Sequence, residues 1–148
     1  MKKFVLISMA IIASISVIAL FSFKGANNPI NEKTTITAAD KVEVYYFHFT
    51  RRCVTCQAVE DESKKAVELL YPDQVKKGTV TFKAINLDDE SSKPVAERFK
   101  VSGQSLLIIS GEARIDLTSE GFMYARSNPD KLKEEIKKAI DPLLTGKK

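Results

Sequence analysis

At 148 residues, with 44% apolar and 28% charged residues, the chain has room for one ordinary domain plus an appendage, and its balance excludes disordered and fibrous classes. The formal charge is +4, but Lys2, Lys3, Lys24 and Lys33 against Glu32 and Asp40 account for half of it, leaving residues 41–148 at only +2. No basic stripe with interleaved aromatics is present, so nucleic acid is not an expected partner.

Met1-Lys2-Lys3 leads into Phe4–Phe23, 20 residues without a charge. As a helix at roughly 1.5 Å per residue this stretch spans about 30 Å, the thickness of a bilayer core. An uncleaved anchor is favoured over a cleaved signal peptide, because Lys24-Gly25-Ala26 puts a lysine where a cleavage site wants a small residue. No cysteine stands just after the apolar stretch, which argues against a lipoprotein anchor. Under either reading the two lysines stay in the cytoplasm and the rest is exported. The expected organisation is 1–23 signal anchor or signal peptide, 24–40 polar linker, and 41–148 domain. The expected location is extracytoplasmic, on the periplasmic side, with membrane contact through residues 4–23.

The β-branched and aromatic run Val42–Phe49 predicts a buried strand. Thr50-Arg51-Arg52 breaks it, and a helix follows that opens on Cys53-Val54-Thr55-Cys56 and buries Cys56, Val59, Ser63, Ala66 or Val67, and Leu70 on one face. Glu60 with Lys64 and Asp61 with Lys65 stand in the favoured i,i+4 order on the outer face. Pro72 ends the helix. Lys76-Lys77-Gly78 predicts a turn, and residues 79–87 a second strand. Asp88–Ser92 reads as a loop with exposed acids, before a short helix to about Phe99. Residues 104–109 and 113–117 predict two strands of an antiparallel hairpin about Ser110-Gly111-Glu112. Asn128 and Pro129 open a last helix striped by Leu132, Ile136, Ile140 and Leu143, which Pro142 limits. Met123 and Tyr124 read as core or edge residues. The order β, α, β, α, β, β, α predicts an α/β fold: a central mixed sheet with a parallel crossover, a C-terminal antiparallel hairpin, and helices on both faces.

The chain has two cysteines, both in the strand–helix turn. A ring that short removes little unfolded-state entropy, so reactivity explains the pair better than stapling does. The thiolate is the nucleophile, and both the helix N-terminus and the adjacent Arg51 and Arg52 favour a lowered pKa at Cys53. Cys53 is then the attacking thiol and Cys56 the resolving one. His48, the single histidine, could join a metal site only with a further ligand; a packed strand histidine is the plainer reading. No metal or other cofactor is expected.

The Cys53–Cys56 motif at a helix start after an aromatic strand, Ile85-Asn86-Leu87-Asp88 closing the next strand, and Val101-Ser102-Gly103 before the hairpin together resemble the thioredoxin-like superfamily over about 41–144. The exported arrangement is similar to that of small bacterial thioredoxin-like proteins anchored outside the cytoplasmic membrane. The resemblance implies a thioredoxin-like fold and an extracytoplasmic thiol–disulfide oxidoreductase, with protein thiols or disulfides and a redox recycling partner as its partners. Several positions depart from the family. Ser105 stands where a cis-proline usually faces the cysteines, Phe47 where thioredoxin has a buried aspartate, and Ala84 where it has a facing lysine, with Lys83 one register away. Val54-Thr55 replaces Gly-Pro between the cysteines, and Arg52 replaces the preceding tryptophan. Arg51, Arg52, Val54, Thr55 and Ser105 are therefore the candidate tuning or substrate-facing residues around Cys53 and Cys56. The other class of function is a non-enzymatic binding module of the same fold, carrying a metal or docking a partner.

Overall fold

In the computed structural model, which describes residues 41–146, strand β1 (Val42–His48) is buried on both faces and runs through the middle of the sheet. Val42, Val44 and Tyr46 point to one side, Tyr45 and Phe47 to the other, as the two-residue period of a strand requires. Strand β2 (Val80–Asn86) lies parallel to it, in register from Val42 opposite Val80 to His48 opposite Asn86. Strand β3 (Ser105–Ser110) lies antiparallel on the other side, from Glu43 opposite Ile109 to Phe47 opposite Ser105. Strand β4 (Ala113–Asp116) completes the hairpin and the order β2-β1-β3-β4. The hairpin turn is Gly111-Glu112, with Gly111 in the left-handed region at φ +55°. The expected α/β architecture, with a mixed four-stranded sheet, is observed.

Helix α1 (Val54–Leu70) buries Cys56, Val59, Ser63, Ala66 and Val67. With α4 (Thr118–Tyr124) and α5 (Pro129–Leu144), it covers the Val44 face in one continuous apolar cluster with Leu106, Ile108, Leu132, Ile136 and Ile140. The opposite face is covered by α3 (Lys93–Arg98), which follows a 3-10 turn at Glu90–Ser92. There Ala96 and Phe99 pack on Tyr45, Phe47, Leu107 and Ile109, with the Tyr45 and Phe99 rings 5.1 Å apart.

Three elements depart from the sequence reading. Pro72 ends α1 and also begins a short helix, α2 (Pro72–Lys77), because proline at a first helical position lacks only an amide that would go unbonded there. Gly78, at φ +75°, stops it with its amide bonded to Gln74 and Val75 carbonyls. The second unexpected helix, α4, starts where the Asp116 carboxylate accepts from the Thr118 amide and hydroxyl. Thr118 in turn accepts from the Leu106 amide at 3.0 Å, at the place where β4 has ended. Third, α5 continues past Pro142 to Leu144. Asp141 steadies that end by pairing with Lys137 and accepting from the buried Tyr71 hydroxyl at 2.7 Å, which ties the end of α1 to α5. The expected anchor and linker lie outside the described residues. Among those described, no helix is long and apolar enough to cross a membrane.

Two substitutions test this packing. A Cβ on Gly121 would meet Val59 Cγ1 at 3.1 Å and Leu106 Cδ2 at 3.4 Å, inside the core. Gly121→Ala is expected to cost about 1–3 kcal/mol, read as a lower urea midpoint at unchanged slope. Lys100 stands at φ +52° just after α3, with its amide bonded to Glu97 O and the Val101 amide to Ala96 O. That is a Schellman ending with lysine where glycine is preferred. Lys100→Gly is expected to raise stability by about 0.5–1 kcal/mol in the same assay.

Candidate thiol site

The site is built where β1 hands the chain to α1. His48 ends the strand, and its carbonyl accepts from Leu87 N at 2.7 Å, closing the parallel pair. The next residues would be a free loop without anchors from the end of β2. Asp88 supplies one, its carboxylate accepting from the Thr50 amide at 2.8 Å. Asn86 supplies the other, its amide donating to the Thr50 hydroxyl at 2.9 Å. The Thr50 amide, and then its hydroxyl, hold the Asp88 carboxyl below the usual range. Asp88, read from sequence as a solvated loop end, is thus the tie that fixes the thiol loop.

Cys53 is the N-cap of α1, in extended backbone at φ −82°, ψ 167°. Its sulfur accepts from the Cys56 amide at 3.4 Å, the place a serine or aspartate oxygen takes in ordinary caps. The two Sγ atoms stand 2.7 Å apart as free thiols. Cys53 is exposed, whereas Cys56, one turn inward, is 3% exposed. The Cys53 thiol is held below its ordinary pKa. The hydrogen bond from the Cys56 thiol is the main cause, followed by the amides of Cys56 and Thr55. The expected direction is correct and the helix N-terminus contributes through those amides, but the arginines do not carry the shift.

Arg52 is engaged elsewhere. It forms an ion pair with Glu60 on α1, so Glu60 is bonded backward to the loop and not forward to Lys64. Arg51 is exposed at the rim. Val54, 65% exposed, gives the tip an apolar surface beside Cys53, and Thr55 follows it half-buried. Ser105 sits opposite Phe47 in the register, and its hydroxyl turns back to the Gly103 carbonyl at 3.1 Å. Strand alternation puts it on the α3 face, so its neighbour Gln104 is the residue that reaches the buried side of the site.

Gln104 does so by accepting from the Tyr46 hydroxyl at 3.3 Å. Tyr46 lies on the α1 side, while Phe47 packs away from it against Phe99. Burial pushes the Tyr46 phenol well above its usual range, and the charge of Cys56 and, more weakly, of Glu60 and Cys53 push it the same way. Lys83, one register from the family's facing lysine, pairs with Glu43 at 2.8 Å and belongs to another part of the sheet. His48 stacks on Tyr46 at 6.0 Å between ring centroids, with Nδ1 3.0 Å from the Phe49 carbonyl and Nε2 4.0 Å from Glu60 Oε2. Among the described residues, no group of three or more His, Cys, Asp and Glu side chains is gathered as a metal site.

Sequence reasoning therefore found the two thiols and missed Tyr46, Glu60, Asp88 and Gln104. Glu60 had a readable signal, since it lies one turn after Cys56 on the same side of the helix. A groove of about 460 Å³ opens beside the β3–β4 turn, lined by Arg98, Phe99, Lys100, Ile109 and Arg114 among others. That is the far end of the sheet from the cysteines, as the pairing of Ile109 with Glu43 at the start of β1 requires. The Cys53 sulfur lies on an exposed tip and not in that groove.

Alkylation by iodoacetamide tests the charge assignment. Below the ordinary thiol pKa of about 8.5, Cys53 is expected to react faster than a free cysteine, because its lowered pKa keeps more thiolate as pH falls. Arg52→Ala is expected to leave the pH of half-maximal rate in place, whereas Cys56→Ala raises it toward the free value. A large upward move in Arg52→Ala would return the shift to the arginine.

No protein-family model matches the chain, and no curated protein matches it. Among solved structures, one described as a malarial protein is 19% identical, with 57% of this chain and 92% of that one covered and a TM-score of 0.38. A likeness at that level bears on neither the fold family nor the function.

Proposed function

We propose that the chain is a thiol–disulfide oxidoreductase of thioredoxin-like fold that works outside the cytoplasm, tethered by residues 4–23, with Cys53 and Cys56 as its reacting groups. The observation that carries this reading is the asymmetry of the pair: an exposed sulfur with a lowered pKa, 2.7 Å from a buried one. The parallel β1–β2 unit, the antiparallel hairpin and helices on both faces support the thioredoxin-like part.

In the exchange, the Cys53 thiolate attacks one sulfur of a substrate disulfide, and the other leaves with the electron pair of the broken bond. The Cys56 sulfur then attacks Cys53, which forms the internal disulfide and releases the second substrate thiol. The reverse sequence oxidises a dithiol. A lowered Cys53 pKa stabilises the reduced pair and so raises its potential, while the recycling partner sets the direction of flux.

The deciding experiment is equilibration of purified 24–148 with glutathione. A potential between about −120 and −270 mV is expected, the range of dithiol catalysts. A value below about −300 mV marks an inert structural disulfide and turns the assignment to a partner-docking module. Cys53→Ser is expected to abolish turnover, and Cys56→Ser to hold substrate as a mixed disulfide visible on a non-reducing gel. Loss of neither activity nor resolution in these variants would remove the exchange reading.

A further inference from the structure

At the end of the sheet remote from the thiols, both charge and backbone are left unmatched. The groove of about 460 Å³ there is walled by the end of α3 and by the β3–β4 turn. Three cations line it, Arg98, Lys100 and Arg114, against one carboxylate, Glu112. Other surface cations are matched close by, Lys83 with Glu43, Lys93 with Glu90 and Lys137 with Asp141. Among the described residues, Arg114 alone of the three has an acidic partner, Asp116 at 3.6 Å, and both of those side chains are half-exposed. The Arg98 guanidinium lies over the Phe99 ring, 5.1 Å from its centre, which holds the planar fork in place without a carboxylate. Lys100 is kept there at a conformational cost, at φ +52° where glycine is preferred. A lysine held in that region points to a use for its side chain that the turn itself does not require.

The backbone lacks partners at the same place. β4 is an edge strand, paired only with β3. The two-residue turn closes on Ser110 opposite Ala113, which makes that pair the hydrogen-bonded kind and the next, Ile109 opposite Arg114, the other kind. The Arg114 amide and carbonyl therefore point away from β3, along the open edge. The Arg114 side chain shares the α3 face with Ile109, because residues opposite each other across a pair point the same way. Groove and open edge thus meet at one residue.

We propose that this edge and groove bind an extended acidic segment of a partner protein, added as a further strand beside β4 with its carboxylates over Arg98, Lys100 and Arg114. Main-chain bonds to the Arg114 amide and carbonyl set the register of such a segment, and every second side chain then reaches the groove. An acidic side chain meets three cations there and a basic one meets their repulsion, so charge decides between partners. Phe99 and Ile109 form the floor but are only 8% and 5% exposed, so apolar contact contributes little and sensitivity to salt is high. A small phosphate would satisfy the cations and leave the Arg114 backbone unpaired, which makes a peptide segment the better fit. The role is separate from thiol exchange, because the cysteines follow the other end of β1.

The full chain in neutral detergent, with a fluorescein-labelled peptide of alternating glutamate and valine, tests this by fluorescence anisotropy. Saturable binding is expected, and its loss as salt rises from about 0.1 to about 1 M, where the screening length falls from about 10 to about 3 Å. Lys100→Gly and Arg114→Ser are each expected to weaken binding about threefold to fivefold, the upper scale of an exposed ion pair. Lys100→Gly also separates lost binding from lost structure, since it is expected to raise stability. Lys64→Ala, which removes an exposed cation of α1, is expected to leave binding unchanged. Two further peptides, N-methylated at alternate residues in the two possible frames, test the added strand: one is expected to bind as before and the other not at all. No binding by the wild-type chain, undiminished binding by both groove variants, or equal binding of the two methylated peptides overturns the proposal. Capture of inorganic pyrophosphate without the peptide makes the groove a small-anion site and overturns it as well. The reduction potential of the cysteine pair is expected to be the same in the groove variants and the wild type, so either function can fail while the other stands.

Discussion

The site depends on two hydrogen bonds to one residue. Thr50 donates its amide to Asp88 and accepts at its hydroxyl from Asn86, which staples the loop after β1 to the end of β2. Each bond is worth only about 0.5–1.5 kcal/mol in net stability, somewhat more where the carboxylate is charged. Their structural effect is larger than that figure suggests. They determine where α1 begins, and so they decide that a cysteine sulfur, and not a neighbouring side chain, receives the first free amides of the helix. The parallel register of β1 and β2 brings Asn86 alongside His48, and the two residues that follow do the stapling. Sheet topology and thiol chemistry are therefore linked through the ends of two adjacent strands.

From that start the two sulfurs acquire different properties without different chemistry. Both are thiols near a helix N-terminus, but one is in the cap and the other faces inward after one turn. The cap position receives amide bonds and solvent; the inner position is buried. The pKa of Cys53 is lowered mostly by short hydrogen bonds, and these are insensitive to salt compared with a charge placed in solvent. An arginine on the rim would be screened. The engagement of Arg52 by Glu60 consequently leaves the lowered Cys53 pKa untouched and pairs the guanidinium with a carboxylate of α1.

Much of the fold was legible because the strands are so apolar. Val42–His48 and Ser105–Ser110 each expose almost nothing, and a run that must be buried on both faces has only the centre of a sheet in which to lie. Cys53 and Cys56 were legible by spacing alone. The short helices were not. Six residues from Pro72 carry too little periodicity to stand out, and α4 is held by Thr118 hydrogen bonds and by a glycine in contact with Val59, neither of which is a pattern along the chain. The partners of Thr50 and Arg52 were illegible for a related reason. Asp88 is separated from Thr50 by 38 residues and Glu60 from Arg52 by a loop-to-helix turn, so helical spacing assigned Glu60 to Lys64 when tertiary geometry gave it to the loop. The facing of Phe47 was illegible in the same way. Counting back six from Cys53 reaches Phe47, but alternation along β1 turns that ring to the α3 face and presents Tyr46 to the thiols.

That one-residue difference changes the chemistry available to Cys56. A carboxylate behind a buried thiol can exchange a proton with it near neutral pH. A buried phenol pushed above its usual range stays protonated and uncharged. With its hydrogen directed to Gln104, Tyr46 offers the thiols a polar wall and no charge.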